Sequence, residues 1–346
     1  MDFSNKRTFQ FCRTLVRVLL SALFIGTISS SLIFAAQPDR SKRAAIIMPL
    51  AAKTLILDLV AAGERTVAVG WRGHILLSDN DGRSWRQVKT PTRDMLTSIY
   101  FTDDSHGWAV GHGAVILATE DGGETWELQY SAPEEERPLF DVIVTGNYGF
   151  AVGAYAKFMV TQNGGKSWQP SEFIIQQDKI VANKALVDEE PLPFDYHLNG
   201  IARSAAGTCY IAAEAGFIFR SNDGGHTWQE LPSPYEGSFF GILPLDGEKL
   251  IVYGLRGHIF RSENGGQNWK QIETGTTALL TDAATLKNGT IIVTGMAGVI
   301  LTSTDNGKSF TLKQPNRVSL TSVVETKSGA LIIAGERGAK IHKIAE

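Results

Sequence analysis

Apolar residues in this chain come in short runs. Leu96-Thr97-Ser98-Ile99-Tyr100-Phe101, Gly107-Trp108-Ala109-Val110-Gly111 and Val115-Ile116-Leu117-Ala118-Thr119 follow one another with only turn residues between them. Runs of this kind bounded by Gly, Asp, Asn and Ser read as β-strands. The third run enters a polar stretch, Thr119-Glu120-Asp121-Gly122-Gly123-Glu124-Thr125-Trp126, and the aromatic begins a fourth strand. The stretch recurs as Ser78 to Trp85, Thr161 to Trp168, Ser221 to Trp228, Ser262 to Trp269 and Ser303 to Phe310, on the pattern Ser/Thr-x-Asp/Asn-x-Gly-x-x-aromatic. This is a hairpin turn. The Asp or Asn side chain accepts hydrogen bonds from the backbone that follows it. The Gly supplies a positive φ.

The spacing carries as much as the motif. Trp85 to Trp126, Trp228 to Trp269 and Trp269 to Phe310 are each 41 residues, Trp126 to Trp168 is 42, and Trp168 to Trp228 is 60. A repeat of this period built of short strands predicts an all-β fold, a β-propeller with one blade per repeat. A Val-Gly type step ends the second strand of each repeat, at Gly70, Gly111, Gly153, Ala213, Gly254, Gly295 and Gly335. Seven steps predict seven blades. The last repeat stops at Ile341-His342-Lys343 without a box, so the run Ala45-Ile46-Ile47-Met48-Pro49-Leu50 is expected to supply the missing strand. Such an N-terminal strand closes the ring and leaves no sheet edge open. The propeller is expected to span residues 44–346. The long interval holds an acidic, Pro-punctuated insertion before blade 4, residues 172–193, read either as a partner contact or as a solvated surface loop.

Residues 1–36 have a basic start (Lys6, Arg7, Arg13, Arg17) and then a nearly uncharged stretch from Val18 to Ala36. This is a signal peptide ending near Ala35-Ala36, or a membrane anchor in residues 15–36, since Phe34 fits the cleavage rule poorly. Both readings place the repeats outside the cytoplasm, in a periplasm or a compartment like a thylakoid lumen. Without residues 1–36 the chain has 29 basic and 35 acidic residues, a net charge of −6. That argues against a nucleic-acid partner. Cys209 has no intramolecular partner after export and reads as a small buried apolar residue.

The boxes carry acids, yet their third position is Asn80, Asp121, Asn163, Asp223, Asn264 and Asp305 in turn. Asn can form the same turn but cannot serve as base or nucleophile, so the box is structural. The seven histidines lack paired ligand spacing, which points to no metal. No Gly loop that holds phosphate is present and nothing calls for a cofactor or a small-molecule substrate. The variable positions are elsewhere. The turn after each Gly step faces the mouth of a propeller's channel, and there the side chains differ from blade to blade. Trp71, Arg72, His112, Tyr155, Glu214, Arg256 and Arg337 are the candidate partner-binding residues, with Trp71, Arg72 and Arg337 expected close together on neighbouring blades 1 and 7. Varied side chains on a repeated frame suit a binding face, and Trp and Arg are frequent interface anchors.

The boxes resemble Asp-box (BNR) repeats, which occur in sialidases and other secreted propellers. Seven repeats, steps such as His106-Gly107-Trp108-Ala109-Val110-Gly111 and an insertion before the fourth blade resemble the photosystem II assembly and stability factor family over residues 44–346. The resemblance implies a monomeric, non-enzymatic factor on the lumenal or periplasmic side that binds a partly assembled membrane protein or complex. Related proteins also occur in bacteria without photosynthesis. Two other readings stand beside it. One is an accessory protein of an envelope transporter or secretion complex. The other is a sialidase-like glycosidase, which would need two carboxylates in one pocket. Glu214 and Glu336 are the candidates for that pair, but blades 4 and 7 lie nearly opposite each other, and the Arg-Ile-Pro motif of sialidases is absent.

Overall fold

In the computed structural model, residues 43–176 and 195–343 are described. The apolar runs form seven sheets, antiparallel but for one short parallel strand added to the fourth. Blade 1 shows the plan. Its strands Ile56–Ala62, Arg65–Gly70, Ile75–Ser78 and Arg86–Val88 pair in sequence order from the channel outward. The innermost strands of the other blades are Leu96–Phe101, Leu139–Thr145, Leu198–Arg203, Phe239–Pro244, Leu280–Thr285 and Leu320–Glu325. The second strands are buried along almost their whole length, because a neighbouring blade covers each face. This is why they read as continuous apolar runs rather than alternating ones.

The core is accordingly a ring of layers between blades. One layer joins Val67, Ile75 and Leu77 of blade 1 to Ala109, Val115 and Leu117 of blade 2, and similar layers recur to the contact of blade 7 with blade 1. The boxes lock these layers. In each, the leading Ser or Thr hydroxyl accepts the N–H of the recurring Gly, as at Gly123 (2.9 Å) and Gly225 (2.8 Å). The Asx carboxyl or amide oxygen then accepts the N–H four residues later, as at Thr125 (2.9 Å) and Thr227 (3.1 Å). The Gly165 φ of 78° is the positive value expected, and a Cβ there would lie 2.3 Å from the ring of Trp108 on the preceding blade. Glycine is needed both for the turn and for that close approach.

Two expectations require correction. Residues 45–50 are not a fourth strand of blade 7, which has three strands among the described residues. They lie against blade 1, where Ala45 N–H donates to Thr90 O (3.0 Å), Met48 N–H to Gln87 Oε1 (2.8 Å) and Arg93 Nε to Ala44 O (2.7 Å). Pro49 removes one of the donors a ladder would need, and the Ile46, Ile47 and Leu50 side chains face solvent. The ring closes instead by packing of Leu320–Glu325 on Ile56–Ala62, with the short helical turn Ala51–Lys53 placing Ala51 among Ile56, Leu76 and Ile332. The insertion, for its part, begins as structure. Phe173 is buried against Trp228 and Phe219, and Ile175–Gln176 pairs in parallel with the outermost strand of blade 4. The rest of the insertion and the N-terminal 1–36 segment fall outside the described residues. Cys209 is buried, as expected, and burial pushes its thiol pKa up.

Candidate functional site

The turns between second and third strands all lie at one end of the blades, opposite the boxes. In five of them a single helical turn forms, at Trp71–Gly73, His112–Ala114, Glu214–Gly216, Leu255–Gly257 and Met296–Gly298. The Gly step before the turn admits the backbone of the adjoining strand: a Cβ on Gly70 would lie 2.3 Å from Leu55 O. The second turn residue is left-handed, with φ of 56° at Arg72, 51° at Tyr155 and 57° at Arg256. A side chain in this region costs on the order of 1 kcal/mol relative to Gly, which blade 2 uses, at Gly113. Ala215 and Ala297 share the conformation, so it marks the turn and not, by itself, a binding residue.

The predicted residues fall into separate groups. On blade 1 the Arg72 guanidinium stands 4.8 Å from the Trp71 ring centroid, and Trp71 is 47% exposed. Such a stacked pair offers charge and apolar area together. On blades 3 and 4 the structure joins Tyr155 to Glu214 through a residue not singled out in the sequence. The Tyr155 ring meets the His197 ring edge-on at 4.8 Å, and the Glu214 carboxylate lies 3.1 Å from His197 Nδ1 and accepts the His197 backbone N–H (3.2 Å). Burial lowers the His112 pKa, against the pull of Asp94. Arg256 and Arg337 are exposed and make no ion pair with a described residue. No contact links Arg337 to Trp71 or Arg72. Their nearness is that of turns on adjoining blades.

The channel holds a second set of polar groups. Each innermost strand has a bulge at the same place, and the residue after it is Asp58, Ser98, Asp141, Gly200, Gly241, Asp282 and Ser322 in blade order. The three carboxylates line a cavity of about 520 Å³. Each one stitches its blade to the next. Asp58 Oδ2 accepts Ile99 N–H (2.9 Å), Asp141 Oδ2 accepts Ile201 N–H (2.9 Å), and Asp282 Oδ2 accepts Val323 N–H (2.8 Å). Ser98 Oγ lies 3.1 Å from Asp58 and 2.8 Å from Asp141, and Ser322 Oγ lies 2.9 Å from Asp58. In blade 5 the side chain is absent at Gly241, and the Tyr253 hydroxyl fills its place, 2.1 Å from where a Cβ would be.

Desolvation dominates this ring. It raises the Asp141 pKa to about 6, with hydrogen bonds from Ile201 and Ser98 opposing it, and it raises Asp282 to about 7 with the Asp58 charge adding to the effect. Asp58 is raised and Tyr253 pushed well up for the same first reason. Ser98 has one proton to donate, so it serves both neighbouring carboxyls only if one of them is protonated. Three acids do therefore share a pocket, where a glycosidase would need two. But both Asp58 oxygens already accept bonds from serines, and Oδ1 and Oδ2 also accept Leu59 and Ile99 N–H. These acids join blades.

The model of the family described as Photosynthesis system II assembly factor YCF48 matches residues 77–176 and 138–279, more than half of the chain. The chain belongs to the YCF48 family. A photosystem II assembly protein Ycf48 from Synechococcus sp. (strain JA-3-3Ab) is 35% identical over 147 residues, 42% of this chain and 39% of that protein. A chloroplastic photosystem II stability/assembly factor from Cyanidioschyzon merolae is 40% identical over 78 residues, 21% of this chain and 18% of that protein. The aligned stretches thus span well under half of these relatives. Among solved structures, "YCF48 bound to D1 peptide" superposes with a TM-score of 0.66 at 19% identity, covering 88% of this chain and 97% of that one. YCF48 from Cyanidioschyzon merolae gives 0.64 at 15%, covering 85% and 97%. At these identities the superpositions establish the shared propeller. Other relatives in the YCF48 family are named lipoproteins, from Synechocystis sp. (strain ATCC 27184 / PCC 6803 / Kazusa) and Synechococcus sp. (strain CC9902).

Proposed function

We propose that this YCF48-family protein is a non-enzymatic assembly factor. It works outside the cytoplasm and holds an exposed segment of a membrane protein on the turn end of its propeller. The observation that carries the reading is three exposed arginines and an exposed tryptophan on those turns, beside Glu214 and Glu336, on a protein of net negative charge. Arg72 stacked on Trp71, with Arg256 and Arg337 making no ion pair with a described residue, presents guanidinium groups to solvent. Guanidinium holds carboxylate in a two-pronged hydrogen bond, and an indole adds apolar contact. The favoured ligand is an acidic loop or terminus. A relative of the same fold is bound to a D1 peptide, which makes a D1 peptide the first probe to try. The basic start and apolar stretch within residues 1–36, with relatives named as lipoproteins, support an exported, membrane-associated location.

The test is capture of the probe, and of partners from detergent-solubilised membranes identified by mass spectrometry, by the wild type and two variants. Arg72→Ala with Arg337→Ala is expected to weaken capture by about 1–3 kcal/mol per lost charged contact while the propeller stays folded. Asp121→Ala, in a box at the other end, should lower the melting temperature and leave capture intact. Normal capture by a folded double variant would remove the turn end as the site and shift attention to the insertion at 172–193.

A further inference from the structure

The third strands of blades 1 to 6 are buried almost throughout. The corresponding strand of blade 7, Gly338–His342, is not: Lys340 and Ile341 are exposed, Ile341 at 43%. No strand among the described residues pairs with its outer edge. Ala52 covers only the beginning, its carbonyl oxygen lying 2.0 Å from where a Cβ on Gly338 would be. The alternate backbone groups from Ala339 to His342 that do not bond Leu331–Gly335 therefore face outward without a described strand to pair with, a template for strand addition. Beside them is a groove of about 170 Å³ whose apolar wall includes Ile300, Val318, Ile333 and Ile341. Its charged or titratable lining is Arg337, Lys340 and His342, with no carboxylate. Lys313 of blade 6 is also near enough to lower the His342 pKa further, after burial. Blade 4 shows that an outer edge of this fold takes an added strand, since Ile175–Gln176 pairs there.

We propose that the open edge of blade 7 binds an extended acidic segment of a partner polypeptide, which supplies the blade's fourth strand. The backbone edge fixes an extended conformation, the groove takes alternate apolar side chains, and Arg337 and Lys340 select acidic ones. A second copy of this chain is a poor occupant, because edge-to-edge pairing would set these cations against their own counterparts. The chain's own residues 44–48 are held elsewhere, by Thr90, Gln87 and Arg93 of blade 1. The inference goes beyond the proposed function: it shares Arg337 with that site but needs neither Trp71 nor Arg72, and Lys340 belongs to the edge alone.

The probe is a synthetic end-blocked peptide, Asp-Val-Thr-Val-Glu-Ile-Asp, with two controls: one in which Lys replaces every acid, and one with Pro at the centre. Titration is paired with hydrogen exchange of the full chain. The acidic peptide should slow exchange at residues 338–342, and each control should bind about ten-fold more weakly or worse. Lys340→Glu should reverse the preference in favour of the basic peptide and remove the protection that the acidic one gives residues 338–342, whether or not the peptide also contacts Trp71–Gly73. The proposal fails if acidic and basic peptides bind alike, or if protection appears at Trp71–Gly73 instead of the edge. It also fails if Lys340→Glu binds as the wild type does, or if the protein dimerises through this edge and excludes the peptide.

Discussion

Aspartate does opposite things at the two edges of a blade. At the rim, Asp223 sits in a box turn, where hydrogen bonds from Thr227, Ser221 and nearby amides outweigh desolvation and bring its pKa to about 2. Asp305 is lowered by Ser309 and Ser303 in the same way. At the channel, Asp141 also accepts two backbone N–H groups and a serine hydroxyl, at 2.8 to 2.9 Å, yet its pKa rises to about 6. The donors are comparable. The difference is water: the rim carboxylates stand in solvent, whereas the channel ones are half-buried in the wall of the central cavity, desolvated by the strands around them, and face one another. Hydrogen bonding favours the ionised form, burial and like charge disfavour it, and in the channel the second pair of effects wins.

The comparison can be broken most forcefully by deleting a channel acid. Asp141→Ala removes the acceptor of the Ile201 N–H, the Val142 N–H and the Ser98 hydroxyl at the wall of the channel cavity. The expected loss is on the order of 3 kcal/mol or more at neutral pH, read as a fall in the urea midpoint. A variant with an unchanged midpoint would show that the stitches between blades add nothing to stability.

Titration should separate the two sets next. For Asp141 and Asp282 the folded pKa lies above the unfolded value of 3.8. Their contribution is therefore complete below about pH 4 and is lost as pH rises through 6 to 7. For Asp223 and Asp305 the folded pKa lies below 3.8. Their contribution is complete above about pH 4 and is lost as pH falls further. The melting temperature should thus peak near pH 4–5 and decline by pH 8, the alkaline decline reflecting up to a few kcal/mol for the enclosed groups. Asp282→Ala should flatten that alkaline limb. A profile that rises steadily from pH 5 to pH 8 would contradict the assignment.

The smallest effects belong to the rim. Asp223→Ala should cost about 1–2 kcal/mol through lost turn hydrogen bonds. Asp223→Asn should cost almost nothing at pH 7, because Asn80, Asn163 and Asn264 already make the same turn, and it should remove part of the acid-side decline. Thermal melts of both variants at pH 3 and pH 7 would check this pair. A large loss from Asp223→Asn at pH 7 would mean the box needs a charge.

Features with local causes were legible in the sequence. The box turn needs an Asx oxygen, a left-handed glycine and a covering aromatic within eight consecutive residues, so its pattern was visible in every copy. The Gly steps numbered the blades, since each marks one close approach of backbone to backbone. The turns between them held the variable residues, and Trp71 and Arg72, adjacent in sequence, are in contact. Where recognition crosses blades, legibility ended. His197 joins Tyr155 to Glu214 from a different loop, and no spacing announced it. The channel acids occupy one position per repeat, and that position also carries Ser and Gly.

The sequence by itself determined the strand, turn and repeat plan, because each of these depends on neighbours a few residues apart and recurs. Tertiary structure decided what depends on enclosure and on which edge meets which. It raised the pKa of Asp58, Asp141 and Asp282, which follows from desolvation against neighbouring blades that meet only in the closed ring. It placed residues 45–50, an apolar run with the composition of a strand, on blade 1 instead of blade 7, where the Gln87 side chain bonds Ile46 and Met48 and the Thr90 carbonyl takes the Ala45 N–H. It also left Gly338–His342 with an outer edge that no described strand covers, since pairing partners far apart in sequence are chosen by geometry and not by composition.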